Sequence, residues 1–170
     1  MPYAYYLPQL ETDIGDRLTA DTTLLNLLAT HPVGASAGRG IYNTVVPVAQ
    51  TGTVFPCIVY QVESAGSADA LRDRVRRAMV TFHIFVDRSP GSAYTPITRG
   101  MAILSRLEGD WTEQTAGTPP TYGVDRWQPT LGSTTWAATI MEFEGDAAAH
   151  DESQFHWVYR AGCYISRAAA

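Results

Sequence analysis

The run Arg76-Arg77-Ala78-Met79-Val80-Thr81-Phe82-His83-Ile84-Phe85-Val86-Asp87-Arg88 constrains this chain more than any other feature. Val80, Phe82, Ile84 and Val86 take one set of alternate places, and Met79, Thr81, His83 and Phe85 take the other. Period-two alternation reads as a strand, and apolar groups in both phases read as a central one, covered by helices on one side. At ~3.3 Å per residue it would run about 40 Å, longer than most strands. Such a strand needs a long partner. Phe55-Pro56-Cys57-Ile58-Val59-Tyr60-Gln61-Val62-Glu63-Ser64 supplies one. The two are expected as an antiparallel pair, strands 55–63 and 77–87, joined by a long connection with an exposed tip.

With 170 residues, the chain fits one domain, 1–170, and can bury a real core. Charged residues are only 17% of the total, which leaves surface for protein interfaces, since these are depleted in charge at their centres. The net charge of −5 gives no global reason to bind nucleic acid. All twelve basic residues are arginine, whose planar, weakly hydrated head suits interfaces. Cys57 and Cys163 sit in apolar strand patterns and read as core residues rather than a disulfide framework. Met1-Pro2-Tyr3-Ala4-Tyr5-Tyr6 lacks a basic segment followed by an apolar one, and no apolar stretch approaches the ~20 residues that span a bilayer. A cytoplasmic site of synthesis is therefore expected.

Around the strand pair, other elements follow from spacing. Leu7, Leu10, Ile14 and Leu18 mark one helix face, with Pro8 in its first turn. Asp21 reads as the N-cap of a short second helix carrying Leu24, Leu25, Leu27 and Leu28, closed by His31-Pro32. Residues 34–40 read as a flexible connection and Ile41 to Val48 as a strand. Thr95 caps a third helix with Pro96 at its first position; Ile97, Met101, Leu104 and Leu107 form the expected buried stripe, with Arg99, Arg106 and Glu108 towards solvent. Two strands close the chain. One alternates through Trp136, Ala138 and Ile140, and the other through Phe155, Trp157, Tyr159, Ala161, Cys163 and Ile165, with an acidic turn from Gly145 to Glu152 between them. The order α-α-β-β-β-α-β-β implies an α+β fold: a largely antiparallel mixed sheet of about five strands, with helices packed on one face. Long loops are expected at about 64–76, 109–123 and 145–153.

No catalytic constellation emerges. His83 lies in an apolar strand, where a hydrogen-bonded imidazole is commoner than a ligand. His150 and His156 flank Asp151 and Glu152 at a hairpin, but no paired CxxC or HExxH spacing accompanies them, so no metal or cofactor is expected. Neither cysteine has a basic neighbour to lower its pKa, and no serine sits in a G-x-S-x-G elbow. Glu142 and Glu144 share a strand phase and read as a polar outer face. The charged feature of weight is Arg72, Asp73, Arg74, Arg76 and Arg77. Arg72, Arg74 and Arg76 at alternate places could share a face, and the interleaved Asp69 and Asp73 favour salt bridges across a protein interface over a grip on phosphates.

Four segments resemble the tail-terminator, or tail-completion, family of long-tailed bacteriophages. They are the helix pair ending in Asp21-Thr22-Thr23-Leu24-Leu25-Asn26-Leu27-Leu28, then Gly40-Ile41-Tyr42 with Phe55-Pro56-Cys57-Ile58-Val59-Tyr60, the central strand Val80 to Val86 leading into helix 95–108, and the closing strand Phe155 to Ile165. The likeness covers roughly residues 9–167 and rests on element order and apolar pattern rather than on an invariant signature. It implies a virion structural protein, not an enzyme: a homo-oligomeric ring, usually a hexamer, that caps the tail tube, stops its polymerisation and meets the head-side connector. Implied partners are copies of itself, the tail-tube protein and the head-completion or connector protein, with DNA passing through the lumen without specific binding and no membrane involved. Assembly would take place in the host cytoplasm, ending in the tail or neck of the virion. Three other readings compete: another neck component, a small hydrolase with a metal held by His150, Asp151, Glu152 and His156, and a nucleic-acid module using Arg72 to Arg77.

Overall fold

The computed structural model describes residues 6–33, 36–44, 55–67, 75–87, 95–109, 120–132, 136–150 and 154–167. Helix α1 (Tyr6–Ala20) buries Tyr6, Leu10, Ile14 and Leu18, a stripe at helical spacing. Helix α2 (Thr22–Leu27) begins at Asp21, whose carboxylate accepts the N–H groups of Thr23 and Leu24 at 3.0 and 3.1 Å. Those are donors that a helix start otherwise leaves without partners. A small hairpin, β1 (Thr30–Val33) and β2 (Ser36–Arg39), precedes β3 (Ile41–Asn43). Then come β4 (Cys57–Ser67), β5 (Val75–Asp87), α3 (Pro96–Glu108), β6 (Trp136–Ala138), β7 (Glu142–His150) and β8 (Gln154–Arg167).

The fold is α+β. The main sheet runs β3-β4-β5-β8-β6, and β7 shares with β6 the outer flank of β8. β3 pairs with β4 in parallel and the other pairings are antiparallel, so the sheet is mixed but largely antiparallel. β5 lies against β4 on one side and against β8, over its whole length, on the other. Ala78, Val80, Phe82, Ile84 and Val86 point to the helix side, where they join Ile58, Tyr60, Tyr159, Ala161, Cys163 and the buried residues of α1 and α3 in one core. The expected central strand, its antiparallel partner and its one-sided helical cover are all present.

Several expectations need correction. Residues 36–39 form a strand rather than a flexible connection: their small side chains give no periodic signal, yet their backbone ladders onto 30–33. The strand expected over 41–48 ends at Asn43, where Thr44 turns with φ 70, and 45–48 lie outside the described residues. The expected acidic turn from Gly145 is mostly β7, held from Glu142↔Gly162 to His150↔Phe155. Its Ala-rich stretch has weak strand propensity, and the neighbouring β8 backbone decides the matter. The alternation expected through Ile140 stops at Ala138, leaving Ile140 exposed and Met141 buried.

Helix α3 starts at Thr95 as expected, with the Thr98 N–H donating to Thr95 Oγ1 at 3.2 Å and Pro96 following the cap. Its buried stripe is rotated. Pro96, Gly100, Ile103, Leu104 and Leu107 face inward, while Ile97 and Met101 are exposed. Gly100 explains the rotation: a Cβ there would run into the ring of Phe155, so the helix packs through its glycine, closer than any side chain permits. Nor do the α3 arginines simply face solvent. Arg106 clamps the Asp21 carboxylate through Nε and Nη2 at 2.8 and 2.9 Å, and Arg99 Nε donates to the Leu27 carbonyl at 3.0 Å. Part of the expected 109–123 loop is likewise anchored, because Arg17 donates to the carbonyls of Gly123 and Pro120 at 2.9 and 2.7 Å.

Candidate interface on the open sheet face

Strand alternation sends Arg77, Met79, Thr81, His83, Phe85 and Asp87 to the face opposite the helices. The register puts Val59, His83, Val158 and Ala147 in one row across the sheet, and Cys57, Phe85 and His156 in the next. A second, smaller apolar cluster forms here from Tyr42, Cys57 and Val59, packed by Phe55 and Phe85, with no helical residue in it. No described helix covers this face. Most of its β5 and β8 side chains are half-buried by one another, with Arg160 and Tyr164 exposed.

The charged residues singled out by sequence divide in three ways. Arg72, Asp73 and Arg74 lie outside the described residues. Arg76 stands in register with Ile165 on the helix side of β5, whereas Arg77 stands opposite Tyr164 on the open side. The two neighbouring arginines therefore serve different surfaces, as a strand requires. On the open side, Arg77 Nη2 meets Glu144 Oε2 at 2.5 Å. The pairing register shifts between Phe143 and Gly145, a bulge that re-aims Glu144 across Gly162. A Cβ on Gly162 would strike that carboxylate, so glycine leaves the path to Arg77 clear. The Glu144 hydrogen bond and charge hold the Arg77 guanidinium above its ordinary pKa. An arginine expected to reach for a partner is thus engaged within its own chain.

His83 and His156 meet on the same face. His83 Nδ1 and His156 Nε2 are 3.2 Å apart, the two rings are 21° from parallel, and Phe85 stacks on His156 with centroids 4.4 Å apart. Burial lowers both histidine pKa values, and for His83 the His156 and Arg160 charges add to the effect. Both shifts favour the neutral rings. Of the other members of the competing metal-hydrolase reading, Asp151 and Glu152 lie outside the described residues, as does the side chain of His150. The sequence gives no sign of this pair because a diagonal contact, two residues along β8 from the His83↔Val158 pair, depends on a register that periodicity cannot supply.

Cys57 and Cys163 are fully buried, and burial pushes both thiols up to about 12, which keeps them protonated and inert near neutral pH. No described helix is long and apolar enough to cross a membrane. No family model matches the chain, and no curated protein sequence matches it.

Proposed function

We propose that this chain is the subunit of a ring that caps the tail tube of a long-tailed bacteriophage, ends tube polymerisation and joins the tail to the head-side connector. The observation that carries the reading is the one-sided sheet. Two long strands, β5 and β8, bury one face under α1 and α3, and no helix among the described residues covers the other. The order of segments that resembles the tail-terminator family supports it, as does the sparse charge of the chain. A ring requires heterologous contacts that close by rotation, and therefore two different surfaces on each subunit. A sheet face with no described helix on it and a strand edge with no described partner are suitable material. The acidic net charge suits a lumen along which DNA must slide. The role is structural, with no catalysis by the chain, and its place is the virion neck after assembly in the host cytoplasm.

The test is mass by light scattering behind size exclusion, alone and with the cognate tail-tube protein. A hexameric mass, or a monomer that forms a ring on the tube and halts its growth, supports the reading. A chain indifferent to the tube protein at every concentration overturns it and moves the assignment to another neck component.

A further inference from the structure

We propose that Glu108, Asp125 and Asp146, gathered around the Tyr159 hydroxyl on the helix side of the sheet, receive the Arg160 guanidinium of a second copy of this chain. The inference rests on the ring reading and names a contact between its subunits. Strand register sets one part of the cluster. Asp146 stands opposite Tyr159, and its Oδ2 accepts the Trp157 indole N–H at 3.1 Å. Asp125 is tied to the other parts. Its Oδ1 accepts the Phe143 N–H at 3.1 Å, and its own N–H donates to the Glu108 carbonyl at 3.3 Å. The Phe143 ring lies against that of Tyr159, with centroids 5.2 Å apart.

Tyr159 is the observation that points to a ligand. Its side chain is fully buried, yet its hydroxyl has no hydrogen-bond partner among the described residues. A buried hydroxyl is ordinarily paired. Burial pushes its pKa up, and the charges of Asp125, Glu108 and Asp146 add to the effect, so all three carboxylates bear on this one group. Burial also raises the Glu108 pKa, reinforced by Asp146 and Asp125, while Arg126 relieves Asp125 in part. Among the described residues no group of three such side chains converges closely enough to hold a metal ion. An extended cation suits the arrangement better: a guanidinium offers five N–H donors in one plane, enough for two carboxylates and a phenol oxygen together. Asp146 is exposed and Glu108 half-buried, so the cluster meets solvent. Residues 110–119, which follow α3, contain no arginine or lysine to fill it.

Arg160 is the matching donor. The chain has no lysine, Arg77 is engaged by Glu144, Arg106 by Asp21, and Arg17 and Arg99 by carbonyls of their own chain. Arg160 is exposed on the open face, in one row with Thr81 and Gln61, and makes no hydrogen bond or ion pair among the described residues. It follows Tyr159 on β8, so the pleat sends the two side chains to opposite faces. One chain therefore cannot join them, and copies that do so meet head to tail, the contact a closed ring requires.

The test is a charge swap read by light scattering over a concentration series, alone and with the cognate tail-tube protein. Arg160→Glu and Asp146→Arg, both at exposed strand positions, should each weaken assembly at least tenfold while far-UV circular dichroism stays that of wild type. An equimolar mixture of the two should recover assembly, because each variant then meets the opposite charge on the other. Tyr159→Phe, which removes only the unpaired hydroxyl, should weaken assembly without lowering the Tm. If Asp146→Arg fails to fold, Arg160→Glu and Tyr159→Phe still decide the matter. A wild type that assembles while Arg160→Glu or Tyr159→Phe assembles equally well, or a mixture no better than its folded components, overturns the contact and leaves the ring reading standing. A wild type that stays monomeric alone and with the tube protein overturns both.

Discussion

Replacing Asp21 should expose how the helix layer is tied together. One carboxylate does two things there: it caps α2 through the N–H groups of Thr23 and Leu24, and it accepts both Arg106 hydrogen bonds from α3. The Asp21 side chain is 5% exposed and that of Arg106 is 23% exposed, so solvent screens the pair only in part. Asp21→Asn keeps an acceptor for the cap but removes the charge; losing charge-assisted bonds of this kind costs ~1.5–3 kcal/mol. Asp21→Ala also removes the cap, a further loss of about 1 kcal/mol, and leaves the guanidinium without its carboxylate. The expected order in urea unfolding is wild type above Asn above Ala, with Ala about 3 kcal/mol below wild type. pH gives an independent check. Burial works against the Asp21 carboxylate, but Arg106 and the two backbone N–H groups outweigh it and hold its pKa below the ordinary value. A depressed folded-state pKa means stability that is complete above the unfolded-state pKa of ~3.9 and lost as pH falls through the folded one. The gap between wild type and Asp21→Asn should therefore narrow below about pH 4. A double-mutant cycle with Arg106→Gln that returns no coupling at pH 7, or a gap unchanged down to pH 2, would refute the reasoning.

Gly100→Ala places a methyl group against the Phe155 ring. Overpacking of ~1–3 kcal/mol should exceed the helix-propensity gain of about 1 kcal/mol, so urea unfolding should show net destabilisation. A more stable variant would mean that α3 does not approach β8 so closely. Asp125 is buried, and burial raises its pKa although the Phe143 N–H and Arg126 act in the opposite direction. A raised carboxyl pKa disfavours the fold increasingly as pH rises past the unfolded-state value of ~3.9, so Asp125→Asn should gain stability relative to wild type between pH 3 and pH 7. A difference that stays flat over that range counts against it. Arg77→Ala breaks a pair whose arginine side chain is 38% exposed, and solvent screening should hold the cost under about 0.5 kcal/mol in chemical unfolding. A larger loss would show that Glu144 needs its partner to cross Gly162.

What could be read from sequence was whatever repeats. The stripes of α1 and β5, the Asp21 and Thr95 caps, and the strand from Phe155 to Ile165 each rest on a local pattern that burial then rewards. What could not be read was set by neighbours. β7 is a strand because β8 offers it a ladder, not because Gly145-Asp146-Ala147-Ala148-Ala149 favours one. The rotation of α3 follows from one glycine against one ring, and Ile97 and Met101 look like core until that contact is known. The candidate site behaves the same way. Arg76 and Arg77 look like one cluster in sequence, yet the pleat assigns them to opposite faces, and the histidine pair forms only through the β5–β8 register.

These placements bear on how a ring could be built. The helix side of the sheet is largely committed to the core; among its described residues Ile97 and Met101 of α3 and Phe143 of β7 stay exposed. The open side carries its aromatic, histidine and aliphatic groups towards the Phe85 end of β5, the polar row Gln61, Thr81 and Arg160 at its middle, and the Arg77–Glu144 pair towards the other end. β7 pairs only with β8 among the described strands, and its Ala147 and Ala148 offer small side chains beside an edge with no described strand partner. Face and edge differ in chemistry: one selects by side chains and the other by main-chain hydrogen bonds. A subunit whose neighbour uses one while it presents the other makes a heterologous contact, the kind that closes into a ring if the rotation is right. An Arg77 already satisfied within its own chain would add specificity at one margin of such a contact, while the half-buried Phe55 and Phe85 at the other end would supply apolar area.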